Sequence, residues 1–300
     1  MWRLKRYKAA LFLALAVGTL LSACSLKTQT TGGETRVIKT VHGEVEVPVD
    51  PQRVIVTYCL GDVLALGVKP SATYDAAGTA YEKKVADIPV WDKFEAEEIL
   101  SYDPDLILVV NQEQYDIASK IAPTVLLPFT ELSLEERVRF LGDVLNRRDE
   151  AEKALENFEQ KLKEAKAALS EKQIMDKTVS IFGIDANGSI WVFGDKWGRG
   201  GDLIYSHLGF KAPDIVQDEI IAKDQYRDIS MEVIQDYAGD YLILSGDIDD
   251  LNGNTIWESL PAVKNGRTVP IDFTLFYDID IYSSSVQLDY LLDAMLNMPE

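Results

Sequence analysis

Apolar residues recur along the middle of the chain with the spacing of an α-helix. Charged residues fill the positions between them, and no Gly or Pro occurs from 146 to 172. A periodicity of this kind places the apolar residues on one face of a helix, so we predict a single long helix over residues 146–172 with Asn146 as its N-cap. Five apolar residues follow one another at intervals of 3, 4, 3 and 4: Leu155, Phe158, Leu162, Ala165 and Leu169.

On both sides of this helix, short apolar runs typical of buried strands alternate with helical patterns. The alternation predicts an α/β fold of two Rossmann-like lobes with mainly parallel sheets, residues 36–145 and 173–300, joined by the long helix. The alternative is one domain with a long surface helix. The predicted strands are 53–56, 105–110, 124–127, 179–184, 189–193, 241–244 and 268–271, after a hairpin over 37–47; the other helices are 61–66, 116–121, 133–145, 202–208 and 284–296.

One internal correspondence supports the two-lobe interpretation. Residues 97–108 can be aligned with residues 232–243, and Glu, Ile, Tyr and Asp then coincide at identical offsets. Each copy is typical of a short helix, a turn and a buried strand. Glu97 and Glu232 occupy the first position of each copy.

The N-terminus has the pattern of an export signal. Four basic residues precede an uncharged run of 13 residues, 9–21, which is too short to span a bilayer as a helix. Leu21-Ser22-Ala23-Cys24 follows and resembles the bacterial lipobox, in which the cysteine is lipidated, for example with palmitate. We therefore expect residues 1–23 to be a signal peptide, Cys24 to carry the lipid and residues 24–35 to be a flexible tether. The protein would be held at the extracytoplasmic face of the cell membrane.

The net charge and the types of residue that the chain contains argue against several classes of function. The net charge is −19, and removal of residues 1–23 makes it four units more negative, which disfavours binding to nucleic acid. With Cys24 lipidated, Cys59 has no disulfide partner and is expected to be a buried thiol. His42 and His207 are the two histidines and make a poor metal site. No motif supports a catalytic triad, so we expect neither an enzyme nor a bound cofactor.

The segment Trp197-Gly198-Arg199-Gly200-Gly201 contains the chemistry that a cleft for a wrapped metal chelate requires. An indole ring gives a flat apolar wall, and a guanidinium offers several donors in a fixed fork. Glycines allow the backbone to approach a ligand closely. The segment matches neither GxGxxG nor GxxxxGK[ST], so it does not fit a dinucleotide-binding or phosphate-binding loop. A glycine-rich turn with a structural Trp is the alternative.

The whole mature chain resembles a known family: the helix-linked (class III) iron-siderophore substrate-binding lipoproteins of ABC importers. The motifs that carry the resemblance are residues 51–56, residues 97–107 and, most specifically, residues 194–210, which look like the branch for ferric hydroxamates. The resemblance implies a ligand held in a shallow cleft between the lobes. It also implies that Glu97 and Glu232 dock on the permease, and that the siderophore itself supplies the oxygens around the iron. A monomer is expected.

Further candidates for the cleft are aromatic and amide side chains in predicted loops and strand ends: Tyr58, Trp91, Gln112, Phe276, Tyr277 and Tyr282. The candidate segments contain few cations, essentially Arg199 and Lys196, which favours a hydroxamate over the strongly anionic catecholate and citrate complexes. Ferric citrate, a catecholate siderophore and cobalamin remain alternative ligands. An exported adhesin or sensor with the same fold is the alternative from another class.

Overall fold

The computed structural model describes residues 33–185, 187–246 and 248–298. The predicted signal peptide, Cys24 and nearly all of the tether lie outside these ranges, and their assignments stay predictions. From Glu34 onward the described residues belong to one compact unit. None of the helices in the described ranges combines the length and the apolar character needed to cross a membrane.

The N-terminal half contains an antiparallel hairpin, as predicted, and a three-stranded parallel sheet of order β3-β4-β5. All strand residues of β3 and β4 are buried, as their uninterrupted apolar sequences predict. The elements are β1 (Thr35–Thr40), β2 (Gly43–Pro48), β3 (Val54–Val56), α1 (Leu60–Ala65), α2 (Glu82–Val85), α3 (Ala96–Ser101), β4 (Leu106–Val109), α4 (Gln112–Ala118), β5 (Thr124–Leu126) and α5 (Leu134–Leu145).

The long helix is α6, which runs from Arg148 to Glu171 and is therefore about 36 Å long. Its predicted apolar stripe packs inward, with Leu155 and Phe158 buried, against α5 on one side. The predicted N-cap is wrong. Asn146 instead ends α5 in the left-handed conformation, with φ 56° and ψ 46°, and Arg147 precedes the first turn of α6. Asn suits both positions, because it caps N-termini and also tolerates the left-handed region.

The C-terminal half contains a five-stranded sheet of order β10-β9-β6-β7-β8. The pairs β10–β9 and β9–β6 are parallel, whereas β6–β7 and β7–β8 are antiparallel, so this sheet is mixed. The sequence did not predict β8. The elements are β6 (Val179–Ile184), β7 (Ile190–Phe193), β8 (Tyr226–Ile229), α7 (Ile234–Tyr237), β9 (Tyr241–Gly246), α8 (Thr255–Ser259), α9 (Pro261–Lys264), β10 (Thr268–Ile271) and α10 (Ile281–Leu296), with π-helical turns at Asp202–Leu208 and Val216–Asp224 and 3₁₀ turns at Met231–Val233 and Ile248–Leu251.

The internal correspondence is reproduced by the structure. The first copy forms α3 followed by β4, and the second forms the turn Met231–Val233, α7 and then β9. Glu97 and Glu232 both lie in the first turn of their copy, and both are exposed. The two acids therefore occupy matching positions in the two halves.

A buried ion pair connects the N-terminal half to the segment that precedes α10. Arg137 on α5 donates from Nε to Asp62 on α1 over 2.6 Å, and both side chains are excluded from solvent. Arg137 also donates to the carbonyl oxygen of Ile279, and the other oxygen of Asp62 accepts the Ile281 N–H at 2.8 Å. Charge-assisted hydrogen bonds of this kind attach the start of α10 to α1 and α5.

Two more carboxyl groups lie beside this pair. Asp280 is the N-cap of α10, where its side chain accepts the Ser283 N–H at 2.7 Å, and Asp278 accepts a hydrogen bond from the Tyr81 hydroxyl at 2.8 Å. Burial, together with the charges of Asp62 and Asp278, raises the pKa of Asp280 to about 8. The carboxyl of Asp280 is therefore largely protonated at neutral pH.

Candidate ligand-binding site

A cavity of about 580 Å³ opens in the C-terminal half, where the parallel strands β6 and β9 end. Ile184 and Gly246 form the last residue pair between these strands and also line the cavity. The edge formed by the carboxyl ends of parallel strands is the usual ligand position in open α/β sheets. Gly183 makes room here, because a Cβ at that position would lie 2.7 Å from the ring of Phe193.

The turn that bears Trp197 and Arg199 has an uncommon backbone. Four consecutive residues have positive φ: Trp197 (69°), Gly198 (72°), Arg199 (57°) and Gly200 (76°). For Trp and Arg this conformation costs on the order of 1–2 kcal/mol each, and such strain clusters at functional sites. The turn is held against the segment after β10. The Arg199 N–H donates to the Phe276 carbonyl over 2.7 Å, and a Cβ at Gly198 would lie 2.9 Å from the carbonyl oxygen of Tyr277.

The guanidinium of Arg199 lies between two aromatic rings in the cavity wall. Its central carbon is 3.9 Å from the ring centroid of Phe193 and 4.5 Å from that of Phe273. Nη1 donates to the Trp197 carbonyl at 3.0 Å, whereas Nε has no hydrogen-bond acceptor in the described part of the chain. Burial lowers the pKa of Arg199 from its very high usual value. Arg199 therefore presents a partly desolvated cation with unused donors to the cavity.

Around Arg199, large aromatic side chains are exposed instead of buried. Trp197 is 65% exposed, and its ring meets that of Tyr226 edge-on at 6.3 Å. Phe273 and Tyr277, which are 42% and 51% exposed, pack against each other at 5.5 Å. Exposed apolar surface that is concentrated in this way marks a binding site. The predicted residues Trp197, Arg199 and Tyr277 are thus brought together.

Beyond the residues that line the cavity itself, Phe273 is followed by Tyr277 and then, in the N-terminal half, by Tyr58, and these rings extend the aromatic wall. The Tyr58 ring lies 6.1 Å from that of Tyr277 and 5.2 Å from that of Phe129, both in edge-on contacts. Burial raises the pKa of the Tyr58 hydroxyl, so this residue stays neutral. Tyr58 follows β3, and the segment that contains Tyr277 follows β10. Both therefore belong to loops that leave the carboxyl ends of parallel strands.

The side chains of the other predicted residues are not part of the cavity wall, and their contact with a ligand stays a prediction. Trp91 is only 8% exposed and packs with Tyr74 and Phe94 in a core cluster of the N-terminal half. Gln112 is exposed at the start of α4 and donates to Asp116. The other two are Tyr282, whose ring lies 5.0 Å from the Lys84 ammonium, and Phe276, which is fully buried.

Asp185 is the acidic residue in the cavity wall, directly after β6. Its Oδ1 accepts the N–H groups of Asn187 and Ser189, at 2.8 and 3.0 Å. These hydrogen bonds lower the pKa of Asp185 below its usual value, so the side chain is a carboxylate at neutral pH. None of the ion pairs found in the described ranges involves Asp185 or Arg199. In the same ranges no group of three or more His, Cys, Asp or Glu is placed to hold a metal ion.

Several residues of the cavity wall were not predicted from the sequence. Tyr226 lies on β8, a short strand whose sequence Tyr-Arg-Asp-Ile gives little signal. Phe193 and Trp191 looked like ordinary strand residues. Asp185 did carry a signal, because a polar residue that follows a buried parallel strand lies at the edge where ligands bind.

Comparison with known proteins identifies the family. A family model described as periplasmic binding protein matches residues 54–275, well over half of the chain. The chain belongs to this family. It is thus an extracytoplasmic binding protein, as the resemblance predicted. The Iron(3+)-hydroxamate-binding protein YxeB of Bacillus subtilis (strain 168) is 32% identical over 302 residues, which cover 97% of this chain and 94% of the relative.

Solved structures of periplasmic binding proteins share the fold. One is a FhuD fold-family protein from Bacillus subtilis, named as the component of a Fep/Fec-like ferrichrome ABC transporter. It is 30% identical, with a TM-score of 0.79, and the match covers 87% of this chain and all of that protein. The other is FhuD2 from Staphylococcus aureus with bound ferrioxamine B, which is 24% identical, with a TM-score of 0.70 and coverage of 82% and 98%. The two-lobe α/β prediction is confirmed.

Proposed function

We propose that this protein captures a ferric hydroxamate siderophore at the cavity around Arg199 and delivers it to an ABC permease for iron uptake. The observation that carries the proposal is the half-buried guanidinium of Arg199, without an ion-pair partner in the described ranges, inside a wall of exposed aromatic rings. The names of the relatives support it, because they are those of a hydroxamate-binding protein and of a ferrichrome transporter component.

The chemistry of the cavity fits such a chelate. In a ferric hydroxamate the iron is enclosed by oxygens that carry the negative charge, and an organic chain wraps around them. The unused donors of Arg199 would bond to these oxygens, and the faces of Trp197 and Tyr277 would cover the apolar chain. Iron is the cargo here, held by the siderophore and not by side chains.

The charge of the site favours a hydroxamate complex over catecholate or citrate complexes. The charged residues in the cavity wall are Arg199 and Asp185, which balance each other, and the whole chain has a net charge of −19. A strongly anionic complex would meet one cation in a negative field, whereas a near-neutral or cationic complex meets no such barrier.

Delivery requires contact with a membrane and with a permease. We assign the lipid anchor to Cys24 and the docking contacts to Glu97 and Glu232. Support for the docking assignment comes from the matching, exposed positions of the two acids. The acid on each half would form an ion pair with a cationic side chain of the permease.

Titration of intrinsic fluorescence with a ferric hydroxamate tests the proposal, because Trp191 and Trp197 both line the cavity and should be quenched. Trp197→Ala should weaken binding by about 2 kcal/mol, or roughly thirtyfold, as expected for a central aromatic anchor. Arg199→Ala should cost about 1.5–3 kcal/mol, and Arg199→Lys should recover part of this loss, because a point charge cannot reproduce the fork.

The control is Arg148→Ala, which removes an exposed arginine on α6 and should leave affinity unchanged. Ferric citrate and a ferric catecholate, titrated in parallel, should bind more weakly. A melting curve for each variant separates lost binding from lost folding. Unchanged affinity in both Trp197→Ala and Arg199→Ala would overturn the assignment of the cavity.

A further inference from the structure

The two charged groups of the cavity wall differ in what they can recognise. Arg199 suits the oxygens of the iron centre, whereas the carboxylate of Asp185 repels them. Asp185 nevertheless lines the same cavity, where its Oδ1 accepts the N–H groups of Asn187 and Ser189. An ionised carboxylate that has no ion-pair partner in the described ranges attracts a cationic group of a ligand.

We propose that Asp185 is a specificity residue that selects ferric hydroxamates bearing a protonated amine. This inference rests on the proposed function and adds to it the charge of the preferred ligand. Arg199, between Phe193 and Phe273, would contact the iron centre, while the ammonium group on the ligand's chain would reach Asp185 at the end of β6. The position of the chelate in the cavity would then be fixed by contacts with two side chains of opposite charge.

The surroundings of Asp185 support an electrostatic role. Its Oδ1 accepts two backbone N–H groups, and the side chains of Trp191 and Ser189 also donate to the carboxyl, so the group stays ionised. The nearby wall residues Trp191, Tyr226 and Gly246 are uncharged. They offer no cation that would neutralise Asp185. The carboxylate remains accessible to solvent, so its attraction to an ammonium group is of the modest, salt-sensitive kind found between exposed charges.

The test compares two ligands that differ by one charge. Ferrioxamine B ends in a primary amine that is protonated at neutral pH, and its N-acetyl derivative is neutral at the same position. The protein should bind ferrioxamine B about fivefold more tightly, as expected for a contact between exposed charges. The preference should decrease as the salt concentration rises.

Asp185→Asn should abolish this preference by lowering the affinity for ferrioxamine B alone. The Asn side chain keeps the oxygen that accepts the two N–H groups, so the local structure should be retained. The matched control is Asp218→Asn, which removes one exposed carboxylate outside the cavity wall and should keep the preference intact. Equal affinity of the unmodified protein for both ligands would overturn the role of Asp185 while leaving the proposed function in place. If neither ligand bound, the proposed function would fail, and this inference with it.

Discussion

The buried carboxyl of Asp280 leads to a prediction about how stability changes with pH. Its side chain is fully buried beside Asp62 and Asp278, and its pKa is raised to about 8. Asp62 already pairs with Arg137, so ionisation of Asp280 would add an uncompensated charge to a buried site. The native protein therefore holds a proton on Asp280 that the unfolded chain releases near pH 4.

Proton linkage gives the direction in which the free energy of unfolding changes with pH. A carboxyl whose native pKa lies above its unfolded value stabilises the fold fully below about pH 4, and this contribution is lost as the pH rises toward 8. Each pH unit in this interval corresponds to about 1.4 kcal/mol, so the step from pH 5.5 to pH 8 should cost about 3 kcal/mol. For a chain of this size the melting temperature should fall by roughly 5 °C. Asp278, whose pKa is also raised by burial, adds a change of the same sign.

Asp280→Asn is the perturbation that isolates this effect. The Asn side chain is a good N-cap, and its oxygen can still accept the Ser283 N–H, but it does not titrate. At pH 5.5 the variant and the unmodified protein should melt at similar temperatures. At pH 8 the variant should be more stable, by about 3 kcal/mol, because no buried charge forms.

Thermal melts followed by circular dichroism at several values between pH 5 and pH 8.5 provide the measurement. Asp293→Asn, which changes an exposed carboxylate on the same helix, is the matched control and should follow the unmodified protein at every pH. The reasoning is refuted if Asp280→Asn shows the same pH dependence as the unmodified protein, or if it is the less stable of the two at pH 8.

Two further predictions concern delivery. Glu97→Ala and Glu232→Ala should leave chelate affinity unchanged but reduce iron uptake by cells, most strongly in the double variant; a large loss of affinity in either single variant would place that glutamate in the binding site. Cys24→Ala should release a folded protein into the medium or leave it as precursor, because lipid chains provide the attachment; mature protein that stayed on membranes would contradict the lipoprotein assignment.

Local sequence signals predicted most of the fold. The stripe of α6 and the capping box of α5, where Ser133 and Glu136 exchange hydrogen bonds, depend on residues close together in the chain, and both are present. The error at Asn146 has the same local origin, because Asn is favoured at either end of a helix. The strand β8 was missed because its pairing with β7 is decided by tertiary contacts and not by its own sequence.

Only part of the candidate site was predicted from the sequence, and a physical reason explains which part. Trp197 and Arg199 stood out because glycines surround them, and glycines favour an unusual backbone. Their partners could not be identified in this way, since Tyr226 and Phe273 are distant in sequence and reach the cavity only through the fold. An exposed aromatic ring cannot be distinguished from a core aromatic by its sequence position alone.

The segment after β10 connects the features that matter most for binding. Its carbonyl groups hold the left-handed turn of Arg199, and two of its aromatic residues, Phe273 and Tyr277, form part of the exposed wall. A few residues later the same segment enters the buried cluster through Asp278 and Asp280, which contact the N-terminal half. The wall is thus attached to both halves by one short stretch of chain. Because the strain in the turn at Arg199 is sustained by contacts with this stretch, the geometry of the site depends on how the two halves are joined.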